Sequence, residues 1–439
     1  MSAMLTTPAR AGLDPREIAR SLDDIEEIGN RFAGSPGEAR CRDYLLGRFA
    51  RLGLAEVRLE PFSYLGYEPL EARCRALCPE PRELACRPLQ YSASTAAQGE
   101  AVYIGGGSAD DLQRLDRLGV ALAGKVVVTS GRFPFYVTPL LKDRDVAAVV
   151  VISDASDGLI TNHAAMLYRP PLEPPWRGRP LPYPGVTIEA GAGWELVSTI
   201  AAAGPVTLRV EHAARYRERE AHNVLGEIPG TTDEQVVVGA HYDSQAESPG
   251  IWDNGAGLAC LLEIARHELE ARHPPKRTVV AVGFALEEIG LWGSTAYTAA
   301  HAESLRDIVG MVNLDGVSSV YPGSRSIYAD ESMRDFAVRT ARMEGWEPEE
   351  VIDARTRPGS DHAPFVEAGV PACLAIESAL GVPYYHTVRD DRSLVDPAGL
   401  ASTARISARL VERLAREENL DLRSQAAAGR NGSSTTSGG

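Results

Sequence analysis

Four apolar runs in the second half of the chain constrain its fold more than any other feature: residues 236–240, 279–286, 308–314 and 372–376. Each is short and nearly continuous in Val, Ile, Leu and Ala, without the polar alternation of a half-exposed strand. That is the pattern of a strand covered on both faces. The segments 255–271, 295–305 and 331–344 between them read as helices, and 398–418 as a closing helix. Strands alternating with helices predict an α/β fold, a mixed but mostly parallel sheet sandwiched by helices. Sheets of this kind bind ligands beyond the carboxyl ends of their strands. The chain puts its acids and a histidine there: His241 and Asp243 after the first run, Glu287 and Glu288 at the end of the second, Asp315 after the third.

Upstream, residues 15–28 and 38–51 read as helices, with Pro15 at the start of the first and Gly53 ending the second. Residues 57–64 alternate like a strand. From 65 to 215 the texture changes. Short apolar strands at 101–104, 125–129, 147–152 and 206–210 recur between Gly- and Pro-rich turns, with short helices at 110–118 and 193–203. A proline-rich loop over 168–184 carries Trp176. These features predict a β-rich module, 65–215, inserted into a domain formed by 15–64 and 216–418. Residues 424–439 are low in complexity and predict a disordered tail.

The formal charge of −15 argues against nucleic-acid binding, which needs clustered Lys and Arg, and disfavours docking on anionic membranes. No apolar run reaches the length of a membrane span. The first residues lack a basic stretch followed by an apolar one, so the chain reads as cytoplasmic, with secretion left to a processed N-terminus. The six cysteines form no Cys-x-x-Cys pair. Cys260 and Cys373 read as core residues, and Cys74, Cys78 and Cys86 as ordinary thiols rather than a metal site or disulfide. Nothing here sets the oligomeric state.

Taken singly, a His-x-Asp is usually a surface pair, a Glu-Glu a solvated helix face and an Asp-Asn-Gly a turn. Taken together and in order, His241, Asp253, Glu288, Asp315 and His386 make a metal site. Imidazole and carboxylate without thiolate suit zinc, with manganese or cobalt as alternatives. A hydrolytic pair of ions sits roughly 3.5–4 Å apart and shares a ligand. Asp253 is assigned as the bridge, His241 and Asp315 complete one site, and Glu288 and His386 the other. The net positive charge favours a bridging hydroxide and a polarised carbonyl. Glu287 is then left to move protons. Neighbours on a strand point to opposite faces, so the two glutamates must lie in a loop just past the strand, where Gly290 helps the bend. Asp243 is expected to orient His241, Asp390 to serve similarly near His386, and Asp361 to line or brace the pocket. The remaining histidines, His163 and His212 among them, are read as structural.

The chain strongly resembles the co-catalytic zinc aminopeptidase and glutamate carboxypeptidase family. The resemblance rests on Gly239-Ala240-His241-Tyr242-Asp243-Ser244, Asp253-Asn254-Gly255-Ala256-Gly257, Glu287 to Ser294, Asn313-Leu314-Asp315, Ser360 to Phe365 and Tyr385-His386-Thr387. Asn223 to Gly230 looks like the family's usual lead-in and Arg31 to Gly37 like its N-terminal signature. The resemblance covers about 15–64 and 216–418, and residues 65–215 resemble the protease-associated domain that many members carry. It implies a zinc metallo-exopeptidase acting on a peptide or small amide. Glu287 would be general base and then acid, and Tyr385 would help hold the substrate or oxyanion, with Tyr384 as its rival. Members with such an insertion are often exported, which departs from the absence of a visible signal.

An aminopeptidase is the first reading. A carboxypeptidase, dipeptidase or small-amide amidohydrolase would use the same ions, and a glutaminyl-cyclase-like transferase shares the architecture. A carboxypeptidase needs a cation for the substrate carboxylate, and Arg325, Arg355, Arg357 and Arg389 lie in loops near the motifs. The sequence leaves these alternatives open.

Overall fold

The computed structural model describes residues 12–131, 133–165, 180–202, 204–356, 359–378 and 382–423. Trp176 with most of its proline-rich loop, Arg357, and the tail at 424–439 lie outside the described residues.

The apolar runs form the middle of a mixed sheet. Thr232–His241 lies between Arg277–Phe284 and Ile308–Asn313, parallel to both. Ala372–Ser378 continues parallel beyond Ile308–Asn313. Two strands not expected from the sequence complete this side: Ser324–Ala329, antiparallel to Ala372–Ser378, and Glu350–Asp353 at the edge.

Strand periodicity sorts the central side chains onto two faces. Val236, Val238, Ala240, Val279 and Ala281 share one core with residues of the helices Pro15–Ile28, Pro36–Leu52, Ala256–Leu269 and Pro397–Arg416. Val237, Val280 and Val282 pack on the opposite side with Tyr297 and Phe365, from Trp292–Ala300 and His362–Glu367. Burying one such side chain stabilises by about 1.5–3 kcal/mol. Strands apolar on both faces therefore take the centre, and Glu350–Asp353, with no fully buried residue, takes the rim.

The strand expected over 57–64 runs instead from Ala55 to Cys78, and the one expected over 206–210 runs from Thr207 to Ile228. They pair antiparallel along nearly their whole length, with Tyr64 opposite Arg219 and Leu65 opposite Glu218. The chain thus enters and leaves the 65–215 segment on neighbouring rungs of one ribbon. Glu68 meets Arg215 and Arg217 across it. Such exposed cross-strand pairs carry little apolar periodicity, which is why the sequence shows only fragments of the ribbon.

Thr207–Ile228 borders Arg277–Phe284 near one end and Thr95–Tyr103 near the other. Beyond Thr95–Tyr103 lie Val126–Thr129, Ala148–Ile152 and Gly185–Ile188, all parallel, then Cys86–Gln90, antiparallel. The buried side chains here form clusters separate from those of the central strands. The helix Pro134–Leu141 was not expected: Pro139 inside it and three aromatics around its start hide it. All six cysteines are free, with Cys260 and Cys373 fully buried. No helix among the described residues is long and apolar enough to cross a membrane.

Candidate metal centre

His241 is the last residue of its strand, and Asp315 stands two residues past the end of Ile308–Asn313. Gly239 pairs with Asn313 in the parallel ladder, so His241 and Asp315 occupy equivalent positions on neighbouring strands. His241 Nε2 lies 3.4 Å from Asp315 Oδ1. Glu287 and Glu288 follow Phe284 in an irregular loop whose turn is made by Leu286, Gly290 and Leu291, all at positive φ.

Asp253 sits in the turn Ile251–Gly255 that leads into Ala256–Leu269. Two glycines permit that turn. Gly250 has φ 62°, and a Cβ on it would stand 2.4 Å from Ser244 and 2.6 Å from the Asp253 carbonyl. A Cβ on Gly257 would stand 2.2 Å from Asn254 Oδ1. Asn254 donates to the Leu314 carbonyl at 2.7 Å, which ties the turn to the strand end carrying Asp315. Arg31, fully buried, donates to the carbonyls of Tyr242, Pro249 and Gly250 at 2.7–2.8 Å. This buried arginine of the N-terminal motif therefore holds the Asp253 loop against the end of the His241 strand.

The two oxygens of Asp253 face different ways. Oδ1 lies 3.2 Å from His241 Nε2, and Oδ2 lies 3.4 Å from His386 Nε2. Glu288 Oε2 lies 2.9 Å from His386 Nε2. His241, Asp253 and Asp315 form one compact group of potential metal ligands, and Asp253, Glu288 and His386 a second. Both nitrogens of His241 and Nε2 of His386 face carboxylates at poor hydrogen-bond geometry, and Oε1 of Glu288 is buried without a hydrogen-bond partner. Buried polar atoms are almost always satisfied, and atoms left open inside an acidic cluster suit a cation.

The electrostatics agree. Burial raises the Glu288 carboxyl to about 7, with the Asp253 charge adding to it against the pull of His386. Glu287 is pushed well above its ordinary value by burial, and by Asp315, Asp361 and Glu288. Burial disfavours the imidazolium of His386, but Glu288 and Asp253 outweigh it and lift the group to about 10. Burial raises Asp361 to about 7, near His241, Asp315 and Asp243. The cluster thus holds more negative charge than it can ionise alone, an excess that a cation held there would relieve.

Asp243 and Asp390 reach the loops that carry the ligands. Asp243, fully buried, lies 3.5 Å from His241 Nδ1 and also accepts from the backbone N–H groups of Glu287 and Glu288 at 3.0 and 3.2 Å. Asp390 accepts from the N–H groups of Trp252 and Asp253 at 2.8 and 3.2 Å, bracing the Asp253 turn. The Nδ1 of His386 bonds instead to the carbonyl of Asn162 at 3.0 Å. Tyr385 stacks on the His386 ring with centroids 3.5 Å apart and meets Trp252 edge-on. Tyr384 points away, donating to Asp157 at 2.7 Å beneath Arg389. Sequence reasoning missed Asn162, Gln90 and Gln245. The polar run Thr161-Asn162-His163 was the available signal, and His163, read there as structural, lies 5.8 Å from the His386 ring.

Residues 223–411, which hold both groups of potential metal ligands, match the model of peptidase family M28. The chain is similar to this family over that segment. It is similar to a probable glutamate carboxypeptidase of Zea mays, 26% identical over 91% of this chain and 66% of that one. It is similar as well to an aminopeptidase of Bacillus subtilis, 26% identical over 83% of this chain and 77% of that one. The chain thus spans just under two thirds of the maize relative's length. Among solved structures, an aminopeptidase from Aneurinibacillus sp. strain AM-1 matches with a TM-score of 0.70 and 25% identity, over 93% of this chain and 96% of that one. A zinc aminopeptidase from Bacillus subtilis, at 19% identity, shares the fold with a TM-score of 0.68 over 94% and 97%.

Proposed function

We propose that this chain is a member of peptidase family M28 and a two-zinc aminopeptidase that releases N-terminal residues from peptides. The observation that supports the reading best is the two-sided Asp253, one oxygen toward His241 and the other toward His386. Two ligand groups sharing one carboxylate call for two cations. His241 and Asp315 would hold one and Glu288 and His386 the other, with Asp253 common to both. Zinc held there would polarise the substrate carbonyl and acidify the attacking water.

The chain's own residues supply the rest. Glu287 stands in neither group, beside Glu288 in the same loop. It takes the proton from the water and returns it to the leaving amine. Asp243 holds the backbone of both glutamates, so the proton carrier keeps its place relative to the ligand beside it. Tyr385, against His386, is the better placed of the two tyrosines to hold the developing oxyanion, since the Tyr384 hydroxyl is engaged by Asp157. Residues 65–215 are proposed to be a protease-associated domain; the run of parallel strands Val126–Thr129 and Ala148–Ile152 favours this.

The name of the maize relative raises the carboxypeptidase alternative. Two of the candidate arginines are already occupied, Arg325 facing Glu349 and Arg389 facing Asp157, which favours the aminopeptidase. A cleavage screen decides: the zinc-loaded chain should hydrolyse aminoacyl amides with free N-termini. Activity confined to N-blocked peptides with free C-termini, or to dipeptides, would sink the reading. Glu287→Gln should lower turnover by about 10²–10⁴ with zinc content unchanged. Full turnover in that variant would remove Glu287 from its role.

A further inference from the structure

We infer that the 65–215 segment is a working part of the metal centre. Its Asn162 and Gln90 act as positioning residues for one ligand group, that of Glu288 and His386. The inference rests on the two-metal reading above.

His386 belongs to no strand or helix, and its φ is 57°. A side chain with a Cβ rarely adopts that conformation, and it persists where surrounding contacts over-determine it. Asn162 supplies those contacts. Its N–H donates to the His386 carbonyl at 3.0 Å, and its carbonyl accepts from His386 Nδ1 at 3.0 Å. Its side-chain amide reaches the His386 carbonyl at 3.4 Å and the Ala246 carbonyl at 2.8 Å. A carbonyl can only accept, so Nδ1 carries the hydrogen. Nε2 is then the nitrogen that faces Asp253 and Glu288, and in the neutral ring it is the one that would ligate a cation there.

The second ligand of the group is held by a relay of amides. Gln90 Nε2 donates to Gln245 Oε1 at 2.7 Å, and Gln245 Nε2 donates to the Glu288 carbonyl at 2.9 Å. Both glutamines are almost fully buried. Asn162 and Gln90 both belong to the 65–215 segment, and the two paths end on the two unshared ligands of one group. His241 and Asp315 are held differently, by the register of two neighbouring strands and by Asp243 and Asn254. The two sites should therefore differ in how much they depend on the segment.

The test uses the full chain and measures zinc affinity by competition with a chelator. His241→Ala leaves the Glu288–His386 site for measurement, and His386→Ala leaves the His241–Asp315 site. Asn162→Ala keeps the two backbone bonds to His386 and removes the side-chain amide that anchors them to the Ala246 and His386 carbonyls, so it should weaken zinc about 3–10-fold in the first background and not measurably in the second. Gln90→Leu should act in the same direction and less strongly, and it carries the test if Asn162→Ala does not fold. In the otherwise unaltered chain, Asn162→Ala should lower kcat more than it raises KM, and excess zinc should restore kcat. Equal weakening in both backgrounds, or none in either, overturns the inference while leaving the two-metal reading intact. A parent chain that binds fewer than two zinc ions overturns both.

Discussion

The two ligand groups share Asp253 and are built by different means. His241 and Asp315 hang from the ends of adjacent parallel strands, and the pairing of Gly239 with Asn313 sets their separation. Sheet geometry does this work, and the strands are specified by their own apolar residues. His386 and Glu288 come from loops, one of them at a φ that few residues adopt; His386 is tied directly to Asn162, and Glu288 through Gln245 to Gln90. A ligand at a strand end inherits its place from secondary structure. A ligand on a loop needs a partner to fix it, and here much of that partner is the 65–215 segment.

This contrast can be broken or sharpened by experiment. The largest effect belongs to the residue common to both groups. Asp253→Ala leaves two sets of buried polar groups without their shared carboxylate, a loss of the kind that costs about 3–5 kcal/mol. Zinc affinity should fall at both sites by roughly 10²–10⁴, read by metal analysis after dialysis. Loss of one ion alone would mean that Asp253 serves a single group. Next comes Asp243→Asn, which removes the carboxylate beside His241 Nδ1. It should weaken zinc about 10–100-fold when measured with His386→Ala, and unchanged affinity there would assign Asp243 to the glutamate backbone alone. The smallest effect is Arg389→Ala. This ion pair also joins the 65–215 segment to the loop of His386, but Arg389 and Asp157 are 49% and 59% exposed. Such pairs contribute no more than about 1 kcal/mol, so the melting temperature should fall by a few degrees at most. A zinc affinity lowered as far as in Asn162→Ala would show that surface contacts, not the buried amides, hold the loop.

The same contrast governs how much could be read in advance. The central strands, the flanking helices and the positions of His241, Glu288 and Asp315 follow from local periodicity. An all-apolar run with an acid or histidine at its end has few other uses in an α/β sheet. The long ribbon of Ala55–Cys78 with Thr207–Ile228 was largely hidden, because charged cross-strand pairs leave no apolar signature. Asp390 was expected beside His386 by its spacing of four residues. Its carboxylate accepts from the N–H groups of Trp252 and Asp253, while His386 Nδ1 bonds to the Asn162 carbonyl, a partner that spacing along a loop does not reveal.

By itself, the sequence determined the sheet, its helical cover and the identity of the acids and histidines that gather at its edge. Backbone pairing and burial of apolar side chains are short-range rules that residue type encodes. Only the tertiary structure decided which oxygen of Asp253 faces which histidine, and that Asn162 and Gln90 reach across from the 65–215 segment to Glu288 and His386. Those contacts join residues far apart in the chain, and no periodicity along it records them.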